Sequence, residues 1–212
     1  MKLYTYYRSS AAYRVRIALN LKGLQHEDTF VHLRRQDQRG SDYLSVNPQG
    51  LVPTLIDDDT TIGQSMAILE YLEERYPEPP LIPLSPAGRA RVRQLAMIVA
   101  CDIHPIDNLK VLNFLTQDLG VSEDGRLRWY RHWVDEGFAA LEAILANQPA
   151  TGRYCHGDEP TVADICLVPQ VYNAGRFDVS LEPYPTIRRI NEACLALPAF
   201  ADAAPEAQPD AE

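Results

Sequence analysis

The stretch PEPPLIPLSPAG, residues 77–88, is dense in proline and splits the chain's patterning in two. Proline locks φ and has no N–H, so such a stretch can be neither helix interior nor central strand. Before it, β-prone and helical patterns alternate; after it, the apolar spacing is helical throughout. This predicts an α/β domain over residues 1–80, a linker over 81–88 and an all-helical domain over 89–212.

KLYTYY, residues 2–7, reads as a strand. The next helix is expected to open at Ser9 or Ser10, because serine caps first-turn N–H groups, and to stop at Gly23. HEDTFVHL (26–33) reads as a second strand, and LVPTLIDDD (51–59) and TTIG (60–63) as two short ones. QSMAILEYLEERYP (64–77) reads as an amphipathic helix with Ile68, Leu69 and Leu72 on one face and Ser65 as its cap. The order β-α-β-loop-β-β-α is too small for a doubly wound sheet and suits helices packed on four strands. Beyond the linker, helices are expected over 87–118, 122–147, 161–174 and 184–197. Thr161 and Asp164 have capping-box spacing. The tail AAPEAQPDAE is acidic and rich in proline and alanine, and is expected to fray.

The net charge of −9 argues against a nucleic-acid partner, which needs basic surface to neutralise phosphates. The start, MKLYTYYRSS, has no apolar segment of the secretory kind, and no run approaches the roughly 20 apolar residues of a membrane span. A cytoplasmic location without membrane attachment is the expectation. Cys101, Cys155, Cys166 and Cys194 are scattered, so they are expected reduced, as small apolar residues. No spacing of histidine, cysteine or carboxylates points to a metal.

Several residues suggest chemistry. Arg8, Ser9 and Ser10 stand at a helix mouth, where hydroxyls and the helix N-terminus can hold an anion. By themselves they read equally as a cap beside a solvated arginine. Val52-Pro53 puts a proline at the entry of an apolar strand, which an edge strand would also tolerate. Gln64-Ser65 precedes a helix, a place suited to a carboxylate or to a plain cap. Arg176 can fork onto a carboxylate, or be solvated. His104 and Asn108 lie four apart, on one face of the expected helix, although Pro105 also signals a kink.

An α/β domain, a proline linker and a helical domain resemble the cytosolic glutathione transferases, whose first domain is thioredoxin-like. RSSAAYRVRIALNLKG (8–23) looks like the zeta-class pattern S-S-C-x-[WY]-R-V-R-I-A-L; Ser9, Ser10, Arg14, Val15, Arg16, Ile17, Ala18 and Leu19 match it. NPQGLVPTL (47–55), QSMAILEYLEERYP, HPIDNLKVL (104–112), GDEPTVADICLVPQVYNAGRF (157–177) and YPTIRRIN (184–191) are similar to the same class. Ala11 departs from it, standing where the pattern has cysteine.

The resemblance implies glutathione as a cofactor that is not consumed. It implies cis–trans isomerisation of a small maleyl dicarboxylate by reversible thiolate addition to the double bond. Maleylpyruvate is the first expectation and maleylacetoacetate the alternative. Glutathione conjugation, dehalogenation of α-halo acids and a non-enzymatic interaction module are the competing readings. Carried onto this chain, the resemblance assigns thiolate stabilisation to Ser9 and Ser10, and substrate carboxylates to Arg8 and Arg176. It assigns glutathione binding to Gln49, Val52, Pro53, Gln64 and Ser65, with His104 and Asn108 as further contacts. Pro53 is implied to be cis, and the protein a homodimer.

Overall fold

The computed structural model describes residues 1–212 throughout. Contacts divide the chain into two compact units: Met1–Leu81 together with Ala196–Glu212, and Ile82–Leu195.

The first unit contains β1 (Lys2–Thr5), α1 (Ser10–Leu21), β2 (Glu27–Phe30), α2 (Ser41–Val46), β3 (Thr54–Asp57), β4 (Thr60–Gly63) and α3 (Ser65–Arg75). The sheet order is β2-β1-β3-β4, with β2 parallel to β1 and β3 antiparallel to both β1 and β4. The four strands, two principal helices and thioredoxin-like outline are those expected. α1 packs on α3, through a core that includes Val15, Ile17, Leu19, Ile68, Leu69 and Leu72, each at most 1% exposed. Each such side chain contributes roughly 1.5–3 kcal/mol on burial.

β1 ends at Thr5, two residues earlier than the apolar pattern suggests. The guanidinium of Arg16 takes the carbonyls of Tyr6 (3.4 Å) and Tyr7 (3.0 Å), so they do not continue the ladder.

The expected fraying of the tail does not occur. Residues 196–212 fold onto this first unit rather than onto the helical domain assigned to them from sequence. The Tyr13 hydroxyl donates to the Phe200 carbonyl, Arg16 Nε to the Ala203 carbonyl, and the Tyr7 N–H to Asp210 Oδ2 at 3.0 Å. These partners are too distant in sequence for a local reading to find.

The second unit contains α4 (Pro86–Met97), a π-helical turn over Ile98–Ile103, α5 (His104–Asp107), α6 (Leu109–Asn113), a second π-helical stretch over Phe114–Asp118, α7 (Glu123–Asn147), α8 (Val162–Gly175) and α9 (Pro185–Leu195). The single helix expected over 87–118 is therefore broken. Pro105 lacks the N–H that an intact helix needs, and Asn108 is extended, at φ −75° and ψ 163°. Ile103 fits against α7 because position 137 is glycine; an added Cβ there would lie 2.3 Å from the Ile103 side chain. α8 is the central element, with Ile165, Cys166 and Gln170 fully buried. Its start is held by Asp164, which accepts from the N–H and hydroxyl of Thr161. No helix is long and apolar enough to cross a membrane. None of the four cysteines is in a disulfide; Cys155, Cys166 and Cys194 are buried as expected, and Cys101 is exposed.

Candidate active site

Two arginines inside α1 are buried; Arg16 holds the turn at the mouth of the helix, and Arg14 reaches Ser65 at the start of α3. Arg14 and Arg16 are 1% and 2% exposed. Arg16 donates to the Thr5 hydroxyl and to the carbonyls of Tyr6, Tyr7 and Ala203. Burial lowers its pKa to about 10, with Asp210 and Asp28 opposing the shift. The turn it grips ends in Ser9, whose N–H donates to the Tyr6 carbonyl at 2.9 Å. Ser9 is the N-cap of α1, and its Oγ accepts from the Ala12 N–H at 3.2 Å. A serine hydroxyl has one donor and two acceptor sites. The cap uses an acceptor site and leaves the O–H proton for an anion. Ser10 is buried beside it, and the Arg8 guanidinium lies 5.1 Å from the Tyr7 ring centre. Ala11 and Ala12 complete the first turn, so it carries no thiol.

The loop before β3 is tied down from below. The Tyr43 hydroxyl donates to the Leu51 carbonyl at 2.6 Å. The Asn47 amide donates to the same carbonyl and to Thr54 Oγ1, each at 2.9 Å. Val52-Pro53 is cis, as the resemblance implied, and so is Glu78-Pro79, which was not expected. Sheet pairing of β3 starts at Thr54. Val52 therefore lies outside the ladder. Gly50 holds the turn open at φ +61°, where an added Cβ would stand 3.0 Å from the Gln38 carbonyl oxygen. Gly50→Ala is expected to cost about 1–3 kcal/mol of stability, read as a lower midpoint in urea.

Gln49 and Gln64 meet: Gln64 Nε2 donates to Gln49 Oε1 at 2.8 Å. Gln64, not Ser65, is the N-cap residue of α3, with φ 67° and no side-chain cap bond. The expectation that Ser65 caps this helix fails because its hydroxyl faces Arg14 Nη1, 3.2 Å away. A non-glycine residue at positive φ costs of order 1–3 kcal/mol and concentrates at functional sites. The helix start that results is a place for a carboxylate.

The second unit carries the other three predicted residues. His104 opens α5, and Asn108 caps α6, its Oδ1 accepting from the Val111 N–H and its Nδ2 donating to the Pro105 carbonyl. The two therefore do not share a helical face: the chain breaks at Asn108 itself. Arg176 follows α8 and is exposed. It donates to Asn173 Oδ1 at 3.0 Å and stands 5.8 Å from the Phe177 ring centre. Phe177 stacks on Tyr130 with ring centres 3.8 Å apart.

Asp107 was missed from sequence. It is 3% exposed, and neither carboxylate oxygen has a hydrogen-bond partner. Burial lifts its pKa to about 8. Burial also pushes the Tyr130 phenol up; Asp107 adds to that shift and Arg176 opposes it. The Tyr130 hydroxyl and the Gln170 amide beside it are buried without a hydrogen bond of ordinary geometry. The only sequence signal for Asp107 was an acid beside a predicted kink. For Arg14 and Arg16 it was two arginines within an otherwise apolar helix.

The family model of the glutathione S-transferase N-terminal domain matches residues 3–80, and that of the C-terminal domain matches residues 128–195. A Vibrio cholerae protein named probable maleylacetoacetate isomerase is 53% identical over 211 residues, 99% of this chain and 97% of that protein. A holo structure of maleyl pyruvate isomerase, described as a bacterial glutathione S-transferase of the Zeta class, superposes with a TM-score of 0.98 at 50% identity, covering 100% of both chains. Maleylacetoacetate isomerase from Methylobacterium extorquens AM1, solved with malonate and glutathione, gives a TM-score of 0.97 at 45% identity, again over 100% of both chains.

Proposed function

The chain belongs to the zeta class of the glutathione S-transferase family, and from that premise we propose that it is a glutathione-dependent cis–trans isomerase converting maleylpyruvate to fumarylpyruvate. Maleylacetoacetate is the second reading, favoured by the names of the Vibrio and Methylobacterium relatives. The observation that carries the reading is the mouth of α1. It offers a hydroxyl proton, a second hydroxyl and an arginine, and its first turn contains no thiol. Such a site stabilises a thiolate that must come from elsewhere.

The residues present fit glutathione. Val52 lies outside the sheet ladder, so its backbone can pair with a peptide as an added strand would. Gln64 gives α3 no side-chain cap, which suits that helix start to the γ-glutamyl carboxylate. Gln49, Pro53, Gln64 and Ser65 frame the same stretch. His104 and Asn108 are further contacts; the Asn108 amide uses one N–H and one acceptor site in its cap and keeps a second N–H for a ligand. Glutathione held there would supply a thiolate, the nucleophile for reversible addition to the conjugated double bond, and would be released unconsumed. The Ser9 hydroxyl donates a hydrogen bond to the sulfur anion and keeps its proton, and Ser10 and the N-terminus of α1 add to the favourable field. Arg8 and Arg176 hold the substrate carboxylates and offset the negative charge developing on its carbonyl oxygen.

The test is an absorbance assay on maleylpyruvate with and without glutathione, with free thiol titrated at the end. Fast conversion that requires glutathione and preserves its thiol supports the proposal. Thiol consumption points to conjugation, and no conversion removes the reaction. Maleylacetoacetate, run in parallel, ranks the two substrates. Ser9→Ala should lower kcat about tenfold and raise the thiol pKa of bound glutathione by about one unit. A Ser9→Ala enzyme with an unchanged thiol pKa would move that role to Ser10.

A further inference from the structure

We propose that the C-terminal segment Ala203–Asp210 is a strap that positions the mouth of α1, with Asp210 as its positioning residue. The inference rests on the reading of Ser9 as the hydroxyl that holds the thiolate.

The turn that delivers Ser9 runs from Tyr6, and both sides of its backbone are engaged. The carbonyls of Tyr6 and Tyr7 face Arg16, and the Tyr7 N–H donates to Asp210 Oδ2 at 3.0 Å across 203 residues of sequence. β1 has already ended at Thr5, so this amide has no ladder partner, and a buried N–H without a partner is costly. The Tyr6 carbonyl that receives Arg16 also receives the Ser9 N–H. A displacement of Tyr7 or Arg16 is therefore passed directly to the Ser9 backbone.

The strap grips Arg16 as well. The Ala203 carbonyl accepts from Arg16 Nε at 3.0 Å. The charge of Asp210 favours the buried guanidinium, as does that of Asp28. Asp210 makes no hydrogen bond to either serine, so its effect on them runs through the turn. Beyond it, Glu212 pairs with His32 Nε2 and Arg35 on the surface, each at 3.0 Å, without reaching Tyr7 or Arg16.

The experiment compares Asp210→Ala, Asp210→Glu and Glu212→Ala with the parent protein. Amide hydrogen exchange of Tyr7 and Ser9 is read on the ligand-free protein. The thiol pKa of bound glutathione is read from its ultraviolet thiolate absorbance, with no substrate present. Asp210→Ala should lose protection at Tyr7 and Ser9 by about tenfold and raise the bound thiol pKa by about half a unit to one unit. Glutathione affinity should change less than about threefold, and protection in β3 and α3 should be retained. Asp210→Glu should recover part of the effect, and Glu212→Ala should match the parent. Unchanged thiol titration, or loss of protection spread evenly over the unit, overturns the proposal and leaves Asp210 an ordinary packing residue. If the parent lowers the thiol pKa of glutathione yet isomerises neither maleyl substrate, the assigned reaction falls and the strap is still decided by these readouts. A parent that does not lower the thiol pKa removes both.

Discussion

Arg176→Ala is expected to lower kcat/KM toward a maleyl dicarboxylate by about a hundredfold, while glutathione affinity changes by less than about threefold. The exposed guanidinium makes one hydrogen bond of its own, to Asn173, and lies near the Phe177 ring. Most of its five N–H donors thus remain for a ligand. Carboxylate recognition by a guanidinium fork is lost entirely in alanine and only partly recovered by lysine, which keeps the charge but not the planar geometry. Arg176→Lys should therefore fall between the two. Equal losses for substrate and glutathione, or none, would remove Arg176 from the substrate clamp. Because the side chain is exposed, thermal stability should hardly move, which separates a binding role from a structural one.

The second large effect is on stability. Asp107→Asn should stabilise the protein above neutral pH, with little gain in acid. The Asp107 carboxyl has a pKa of about 8 in the folded protein, against an ordinary 3.8. The cause is burial, with no hydrogen bond to either oxygen. Between those values the folded state keeps a proton that the unfolded chain has released. Parent stability therefore falls as pH rises through that window, and the loss is complete above it. The full shift corresponds to as much as about 6 kcal/mol. Asparagine has a similar shape and does not titrate, so the variant should escape this loss. Urea unfolding of both proteins from about pH 4 to pH 9 checks it: the stability curves should separate steadily and then run parallel above pH 8. Curves parallel over the whole range would show that Asp107 is ionised and solvated in the folded protein.

The element types before the linker were readable because each depends on neighbours in sequence. Ser9 caps α1, Gly23 follows its end, and the apolar spacing of residues 64–77 fits one helix. The errors arose where distant groups compete for local ones. Ser65 has the chemistry of a cap, but Arg14, 51 residues away, takes its hydroxyl. β1 stops short because Arg16 takes the next two carbonyls. The long helix expected after the linker breaks at Asn108, where the side chain caps a new helix instead of continuing the old one.

By itself the sequence determined the two-part plan, the helix mouth with its hydroxyls and the absence of a thiol in its first turn. These follow from local periodicity, capping chemistry and residue identity. Only the tertiary structure decided that the acidic tail returns to the first unit, that Arg16 and Asp210 hold the turn before Ser9, and that Asp107 is buried without a partner. Those outcomes depend on which polar groups lose water and which distant group meets them, and no local pattern encodes either.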